Sequence, residues 1–370
     1  MKEKTRICWI TASYFLDVDL PVVPSLMDDF IIDWTVITTP GQLRSDSDYI
    51  RSQTGRNVNV VTAPARFYSP ALFTFFRSLV RRIAEARYDL YYLDISDLLF
   101  LFPLVKKYLP ADRVIVATHN VSVPKGARLA PLAKMTMRYI LSRFRHFQVF
   151  SKSQLEVLKS RRPDADVFYC PLMLKDYGPL PADVKKEPGI RTFLFFGKII
   201  RYKRLDILLR AVNLLADRGV GGFRVEICGY CGAHTWQKEY QPLIEHPDLV
   251  STDIRRIPNE EVARCFAKSD FFVMPYQDIA QSGALTVALN YNLPVIASDL
   301  PAFKEFLTPG VDSMFFASGD AAALADAMQK AIEMPAGEYM AMERSLADMV
   351  SDRLSHVAII SSYRNYLNSL

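Results

Sequence analysis

The sequence contains no run of about eighteen uncharged apolar residues, the length a membrane-spanning helix requires, so no transmembrane helix is expected. Its first ten residues, MKEKTRICWI, lack the apolar core and cleavage site of a signal peptide and lead directly into a strand-like segment. The five cysteines are few, odd in number and scattered, which is typical of reduced thiols. Together these features predict a cytoplasmic protein.

A metal site is also not expected from the cysteines. The one Cys-x-x-Cys spacing, Cys228–Cys231, has no second cysteine pair, and the nearby His234 is too little to complete a zinc site. Because the pair follows the strand-like stretch FRVEI, we interpret both cysteines as small packing residues at a strand end.

Length and composition are those of a two-domain globular protein: the chain has 370 residues, of which 50% are hydrophobic and 23% charged. Strand-like and helix-like segments alternate, which is typical of doubly wound parallel sheets. We therefore predict an α/β fold of two Rossmann-like domains facing across a cleft, with ligands bound beyond the carboxyl ends of the strands. The predicted boundaries are residues 1–175, a Pro- and Gly-rich linker at 176–190, a second domain at 191–350, and a helix at 351–370 that packs back toward the first domain.

A candidate anion site lies within PYQDIAQSGALTVALNYNLPVIASD (Pro275–Asp299). Ser282 stands between an apolar strand and an apolar helix and is predicted to cap that helix. The backbone N–H groups of Gly283, Ala284 and Leu285 would then point out of the first turn. A helix that begins with glycine after a parallel strand is a ready anion site.

A second candidate for anion binding follows the strand-like stretch TFLFFG, which Gly197 closes. Four cations come next within seven positions: Lys198, Arg201, Lys203 and Arg204. Long cationic side chains on a loop after a strand suit a diphosphate. A solvated basic loop is the alternative interpretation of the same residues.

In their order and spacing these segments resemble the sugar-nucleotide-binding domain of GT-B glycosyltransferases. The resemblance covers roughly residues 193–334 and is to the large family called glycosyl transferases group 1. It rests on FFGKIIRYKR, ICGYCG, IPNEEVARCFAKSDFFVMPY and PAFKEFLTPGVDSMFFASGD, together with the loop that contains Ser282. Several matches in one order are more specific than any single match.

The resemblance implies an enzyme that moves a sugar from a nucleoside-diphosphate sugar to a glycan or lipid-linked acceptor in cell-surface polysaccharide or glycolipid synthesis. It places Lys198 and Lys203 on the donor diphosphate, with Gly197 and Gly229 at two glycine-bearing strand ends. The first-turn amides of Gly283 and its neighbours would bind the same anion. Since cations and amides can stabilise a departing diphosphate, the resemblance implies no cofactor and no metal. The DVD motif at Asp17–Asp19 lies in an early loop without supporting residues.

One departure from the family pattern affects the donor loop. The family's two glutamates, on the donor sugar and the ribose, would fall here at Ile279 and Val287, which cannot accept a hydrogen bond from a hydroxyl. Gln281 could contact a sugar hydroxyl instead, and Thr286 is a weak candidate for the ribose. Two alternatives therefore stay open: a non-catalytic GT-B partner subunit, and a sugar-nucleotide epimerase-like enzyme on the same scaffold.

Three residues are candidates for a direct catalytic role. His119 in ATHN follows a buried strand, near where the family often has a histidine facing the acceptor. Asp94 ends another strand of the first domain, where a carboxylate could perform acid–base chemistry. Glu305 in PAFKEF could hold a donor-sugar hydroxyl, or it could cap the following turn.

A basic region of the first domain is the candidate membrane surface. From Arg113 to Leu155 there is no Asp or Glu, and within it Pro131–Phe147 combines basic and apolar residues at helical spacing. The stretch Phe67–Arg87 has a similar pattern. Basic amphipathic helices are typical of peripheral binding to anionic membranes, here the inner face, although both helices could simply pack on the sheet. No base-stacking or groove-reading motif accompanies the charge, so nucleic acid is not an expected partner.

Two further motifs predict helix ends. Ser153 and Glu156 have the spacing of a capping box, which predicts a helix start at Ser153. Asn292 stands where the family has the glycine that closes the donor-loop helix. Asparagine is among the few residues other than glycine that tolerate the left-handed conformation needed there.

Overall fold

The two halves of the chain each fold around one parallel sheet. The computed structural model describes residues 3–40, 50–51, 58–65, 69–95, 100–122 and 130–370. The chain divides into unit 1, which comprises residues 1–173 and 356–370, and unit 2, which comprises residues 174–355. The predicted α/β class with two Rossmann-like sheets is confirmed.

Unit 1 contains a seven-stranded sheet with the strand order β3-β2-β1-β4-β5-β6-β7. Its strands are β1 (Arg6–Ala12), β2 (Ile31–Thr38), β3 (Asn59–Thr62), β4 (Leu90–Asp94), β5 (Val114–Thr118), β6 (His146–Val149) and β7 (Asp166–Tyr169). Its described helices are α1 (Leu16–Asp19), α2 (Val23–Leu26), α3 (Ala71–Ala86), α4 (Leu101–Tyr108), α5 (Ala130–Arg143), α6 (Lys152–Arg161) and α14 (His356–Ser369). The strand order reverses direction beside β1, and in such sheets ligands bind at that point, beyond the carboxyl ends.

Apolar residues cover both faces of the unit 1 sheet. Helices α3 to α6 contribute to one core, where Phe76, Phe102 and Ile140 are buried. Helices α1, α2 and α14 pack on the other face, and α14 buries Ile360 and Tyr363 there. The end of the chain is therefore part of the first unit's core.

Unit 2 contains a six-stranded parallel sheet with the order β10-β9-β8-β11-β12-β13. Its strands are β8 (Arg191–Phe196), β9 (Phe223–Cys228), β10 (Val250–Asp253), β11 (Phe271–Met274), β12 (Val295–Ser298) and β13 (Ser313–Phe316). Its helices are α7 (Leu205–Asp217), α8 (Ala233–Thr235), α9 (Asn259–Ala267), α10 (Gly283–Asn290), α11 (Pro301–Lys304), α12 (Ala321–Glu333) and α13 (Ala336–Arg353). The central strands are buried on both faces, which is why they read as continuous apolar runs.

Local sequence explains both ends of α10. The Ser282 side chain accepts a hydrogen bond from the Leu285 amide at 3.2 Å, so the predicted cap is confirmed. At the other end Asn292 adopts φ 49°, the predicted left-handed conformation. The amide of Leu293 then donates to the carbonyl of Ala288 at 2.9 Å, which closes the helix in the usual way.

The predicted start of α6 at Ser153 is wrong. The helix begins at Lys152, and Ser151 in extended backbone is its cap, accepting from the Gln154 amide. The Gln154 side chain is buried and accepts from the Val121 amide at 2.7 Å. A tertiary contact, rather than the capping-box spacing, accompanies this helix start.

Candidate functional site

The candidate anion site lies at the carboxyl edge of the unit 2 sheet. Strands β9, β8, β11 and β12 are four consecutive parallel strands of this sheet, so the loops that follow them share one edge. The predicted residues Gly197, Gly229, Gln281 and Ser282 all belong to those loops. The fold therefore places these distant segments at the same edge.

The two strand-end glycines let the backbones of neighbouring loops approach closely. A Cβ added to Gly229 would lie 1.9 Å from the carbonyl oxygen of Gly197, a distance that no side chain can occupy. Gly197 itself adopts φ 104°, a conformation that favours glycine. Its amide donates to the Cys228 carbonyl at 2.9 Å. Any larger residue at 229 would push the β8 loop away from the sheet edge.

Lys203 is buried beneath the Gly197 loop. Its ammonium nitrogen lies 3.0 Å from the position of a Cβ added to Gly197 and 5.3 Å from the centre of the Tyr276 ring. Burial lowers the pKa of this ammonium group to about 8. Among the described residues no carboxylate forms an ion pair with Lys203. A buried cation without a counter-charge is costly unless an anion joins it.

Tyr276 connects Lys203 to the start of α10. Burial raises the pKa of the Tyr276 hydroxyl, and the Ser282 hydroxyl beside it opposes that shift. The helix lies directly after Ser282, so its first-turn amides belong to the same edge as the lysine. The Leu285 amide donates to the Ser282 hydroxyl at 3.2 Å and forms the helix cap. Gly283 and Ala284 provide the first two amides of the helix, which have no partner within it.

Sequence reasoning missed a third cation at this edge, Lys175. A Cβ added to Gly283 would lie 3.4 Å from the Lys175 ammonium nitrogen and 3.6 Å from its Cε, so this side chain reaches the first turn of α10. Lys175 is the last residue of the predicted first domain, directly before the predicted linker, and matches no motif, so only its position in space reveals it.

The remaining cations of the β8 loop have different surroundings. Lys198 is exposed and lines a hollow of about 300 Å³ with Arg201 and Tyr230. Arg204 forms two hydrogen bonds with Asp206, at 2.9 and 2.8 Å. Of the two predicted diphosphate lysines, the structure therefore buries Lys203 and leaves Lys198 at the surface.

The structure shows the surroundings of the residues where the donor loop departs from the family pattern and of the proposed substitutes for the missing glutamates. Val287 is buried in the core of unit 2, and Ile279 packs against that core. The hydroxyl of Thr286 donates to the Gly283 carbonyl at 2.8 Å, within its own helix. Gln281 is partly buried next to the cap, and Glu305 is partly buried directly after α11. The last two therefore stay proposals for sugar contacts.

In unit 1 the structure pairs two residues that the sequence indicated separately. The Nε2 atom of His119 lies 2.9 Å from Oδ1 of Asp94, and both side chains are buried. The imidazole is stacked between Phe15 and Phe150, with ring centres at 3.8 and 4.3 Å. With Asp94 ionised, its carboxylate accepts a hydrogen bond from the Nε2–H group of the imidazole.

Asp19 of the DVD motif lies near this pair and has a structural role. Its carboxylate accepts from the indole of Trp9 at 2.9 Å and from the hydroxyl of Thr11. Burial, followed by the charge of Asp94, raises the pKa of Asp19. A fully buried carboxyl group does not form an exposed metal motif.

The cysteine pair behaves as interpreted, because Cys228 and Cys231 are both buried thiols in the core of unit 2. Among the residues the structure describes, no group of three or more His, Cys, Asp and Glu side chains is arranged to hold a metal ion. No helix in the described part of the chain is long and apolar enough to cross a membrane.

Both basic helices of unit 1 pack their apolar faces on the sheet. Phe76 of α3 and Ile140 of α5 are buried in the core. The exposed side of each helix retains one large apolar residue, Phe73 or Met135, at 44% and 55% exposure, among basic side chains. The described surface is thus mainly basic, with little apolar area.

Comparison with known proteins places this geometry in context. Residues 190–334 match the family described as glycosyl transferases group 1. A Rickettsia africae glycosyltransferase structure is similar with TM-score 0.78 and 11% identity, covering 98% of each chain. HepE from Anabaena, solved with UDP and glucose, is similar with TM-score 0.75 and 14% identity over 99% of this chain and 100% of that one. The lipopolysaccharide outer core galactosyltransferase WaaB has TM-score 0.68 and 15% identity, covering 98% and 99%. At these identities the structures show a shared fold, and no curated protein sequence matches the chain.

Proposed function

We propose that the donor of this GT-B glycosyltransferase, whose residues 190–334 belong to the glycosyl transferases group 1 family, is a nucleoside-diphosphate sugar. The acceptor in this proposal is a glycan or lipid-linked glycan of cell-surface polysaccharide or glycolipid synthesis. The family match favours transfer over the epimerase-like alternative.

The observation that carries the donor proposal is the buried, uncompensated ammonium of Lys203. It lies at the carboxyl edge of the sheet, and the first-turn amides of α10 and the ammonium of Lys175 belong to the same edge. Two cations and a helix N-terminus supply the charge complement of a diphosphate without a bound metal. The complexes of HepE with UDP and with UDP-glucose support a nucleotide donor and make UDP-sugars the first to test.

The same groups account for catalysis of the chemical step. Negative charge grows on the diphosphate as its bond to the sugar breaks, and preorganised cations and amides stabilise that charge. Gly283 allows the backbone of α10 to approach the leaving group, because it has no Cβ. We assign contacts with sugar hydroxyls to Gln281 and Glu305.

On the acceptor side, we assign the acid–base chemistry to the His119–Asp94 pair of unit 1. Asp94 lies 2.9 Å from Nε2 of the imidazole and orients the ring for acid–base chemistry on an acceptor hydroxyl. The two flanking aromatic rings hold the imidazole plane in place.

A panel of nucleotide sugars tests the donor proposal. UDP-, GDP-, ADP- and dTDP-linked hexoses are incubated with the protein, and release of nucleoside diphosphate is measured without an acceptor. We expect slow release with one nucleotide class, because enzymes that activate a sugar for transfer also allow water to attack it slowly. The Lys203→Met variant serves as the control for contaminating hydrolases and should lose the release. No binding and no release with any donor would overturn the proposal.

We further propose that unit 1 binds an anionic membrane surface, where a lipid-linked acceptor would be held. The exposed basic residues of α3 and α5, together with Phe73 and Met135, support this contact. Each basic side chain near an anionic surface contributes about 1 kcal/mol.

Sedimentation with vesicles tests the membrane proposal. Phosphatidylglycerol vesicles should pellet the protein at low salt and release it at high salt, whereas phosphatidylcholine vesicles should not pellet it. The variant Arg77→Glu/Arg81→Glu on α3 should bind more weakly, and Lys268→Glu/Lys330→Glu, at exposed positions of unit 2, is the matched control. Equal, negligible pelleting with both lipids would rule the contact out.

A further inference from the structure

A groove between α5 and α6 of unit 1 is separate from the sites described above. Its volume is about 610 Å³, within the range of small-molecule sites. The floor is apolar and includes the buried side chains of Met137 and Leu141. Four basic side chains surround it, and none of the described residues that line it is acidic.

Helical spacing aligns one wall of this α5–α6 groove. Lys134, Arg138 and Ser142 are each four positions apart and therefore lie on one stripe of α5, above the apolar floor. Both cations are exposed. Among the described residues, no carboxylate forms an ion pair with either of them.

The opposite wall holds a guanidinium in a fixed orientation. Arg161, the last residue of α6, donates to the Val121 carbonyl at 2.9 Å and to the Ser122 hydroxyl at 2.8 Å. These bonds use two of its five N–H donors and orient the others. The adjacent Arg162 is already neutralised by Asp164, to which it donates twice at 2.9 Å. Within the described part of the chain, Lys134, Arg138 and Arg161 are therefore groove cations without an ion-pair partner.

We propose that the α5–α6 groove binds a phosphate group carried by the acceptor. A concave surface with a preoriented arginine, two further cations and the Ser122 hydroxyl is complementary to a phosphomonoester or pyrophosphate dianion. The loop at Val121 and Ser122 follows His119 closely in the chain, so the groove adjoins the proposed acceptor side of unit 1. The inference that the phosphate belongs to the acceptor rests on the proposed function, whereas phosphate binding by the groove does not.

The test compares two charge-reversed variants of the full chain in the absence of any donor. Lys134→Glu/Arg138→Glu alters the groove, and Arg143→Glu/Arg145→Glu makes the same charge change at neighbouring exposed positions that do not line it. Calorimetric titration with inorganic pyrophosphate should show affinity lowered about tenfold or more in the groove variant relative to the control variant. Any pyrophosphate bound at the unit 2 site is common to both proteins and cancels in this comparison. Arg138→Gln, which removes one charge without reversing it, should weaken binding in the same direction if the double variant folds poorly.

A second arm identifies the source of the phosphate. Phosphatidylcholine vesicles containing phosphatidic acid are sedimented with both variants, with and without competing pyrophosphate. Weaker pelleting of the groove variant, together with a loss of pelleting of the control variant to the same level when pyrophosphate is added, supports a lipid headgroup. Equal pelleting of the two variants, with a difference in pyrophosphate affinity, supports a soluble or acceptor phosphate. Identical behaviour of the groove and control variants with both probes would overturn the proposal, and nucleotide-sugar hydrolysis would be unaffected by that outcome.

Discussion

Replacing Lys203 by methionine is expected to weaken nucleoside diphosphate binding about tenfold or more. The variant removes the charge but keeps an apolar side chain in the space below Gly197 and Tyr276. Charge-assisted hydrogen bonds contribute about 1.5–3 kcal/mol each, and the ammonium of Lys203 has no protein carboxylate to share. Because a buried charge without a partner is costly, thermal stability should be unchanged or slightly higher. Calorimetric titration and thermal unfolding measure the two quantities.

The pH dependence of binding provides a sharper readout for the same lysine. Burial holds its pKa at about 8 without ligand, and a bound diphosphate must raise it, so the complex binds more protons than the unliganded protein. The affinity for the nucleoside diphosphate is therefore at its full value below pH 8 and falls as pH rises through that value. Lys203→Met should remove this dependence. Arg201→Met, on the same turn but with its side chain 89% exposed, should retain it. A wild-type affinity that stays constant through this range would contradict the assignment of Lys203 to the diphosphate.

Replacing Gly283 by valine is expected to abolish sugar transfer while the protein stays folded. The first carbon of the new side chain fits at ordinary contact distance, 3.4 Å from the Lys175 ammonium nitrogen. The two methyl groups beyond it would displace Lys175 and occupy the space in front of the first helical turn. Valine costs no more than glycine within a helix, so stability should not fall through helix propensity.

Gly337→Val is the matched control for this substitution. Gly337 lies in the first turn of α13, and no atom lies within 4 Å of a Cβ added there. Its variant should keep both the thermal midpoint and the transfer rate of the wild type. Transfer by Gly283→Val at the wild-type rate would mean that the start of α10 does not line the donor site.

Features that depend on neighbours in the chain could be predicted from the sequence. The alternation of apolar runs and amphipathic segments was sufficient for the α/β class, because buried parallel strands and covering helices impose different periodicities. Ser282 and Asn292 marked the ends of α10, because a cap and a left-handed residue are determined by a few adjacent residues. The capping-box spacing at Ser153 failed, since Ser151 two residues earlier offers the same hydroxyl and was the residue used.

Local sequence patterns thus predicted the fold class, the order of the sheet-edge loops and the presence of cations after β8. The three-dimensional packing was needed to show that Lys203 is buried against Tyr276 while Lys198 on the same loop is exposed. It also decided that Lys175 reaches Gly283 and that Asp94 pairs with His119. The physical reason is that such contacts depend on which strands become neighbours and on the direction of each side chain at the sheet edge. The residues involved are far apart in the chain, so no local sequence pattern indicates which strands are neighbours or where each side chain points.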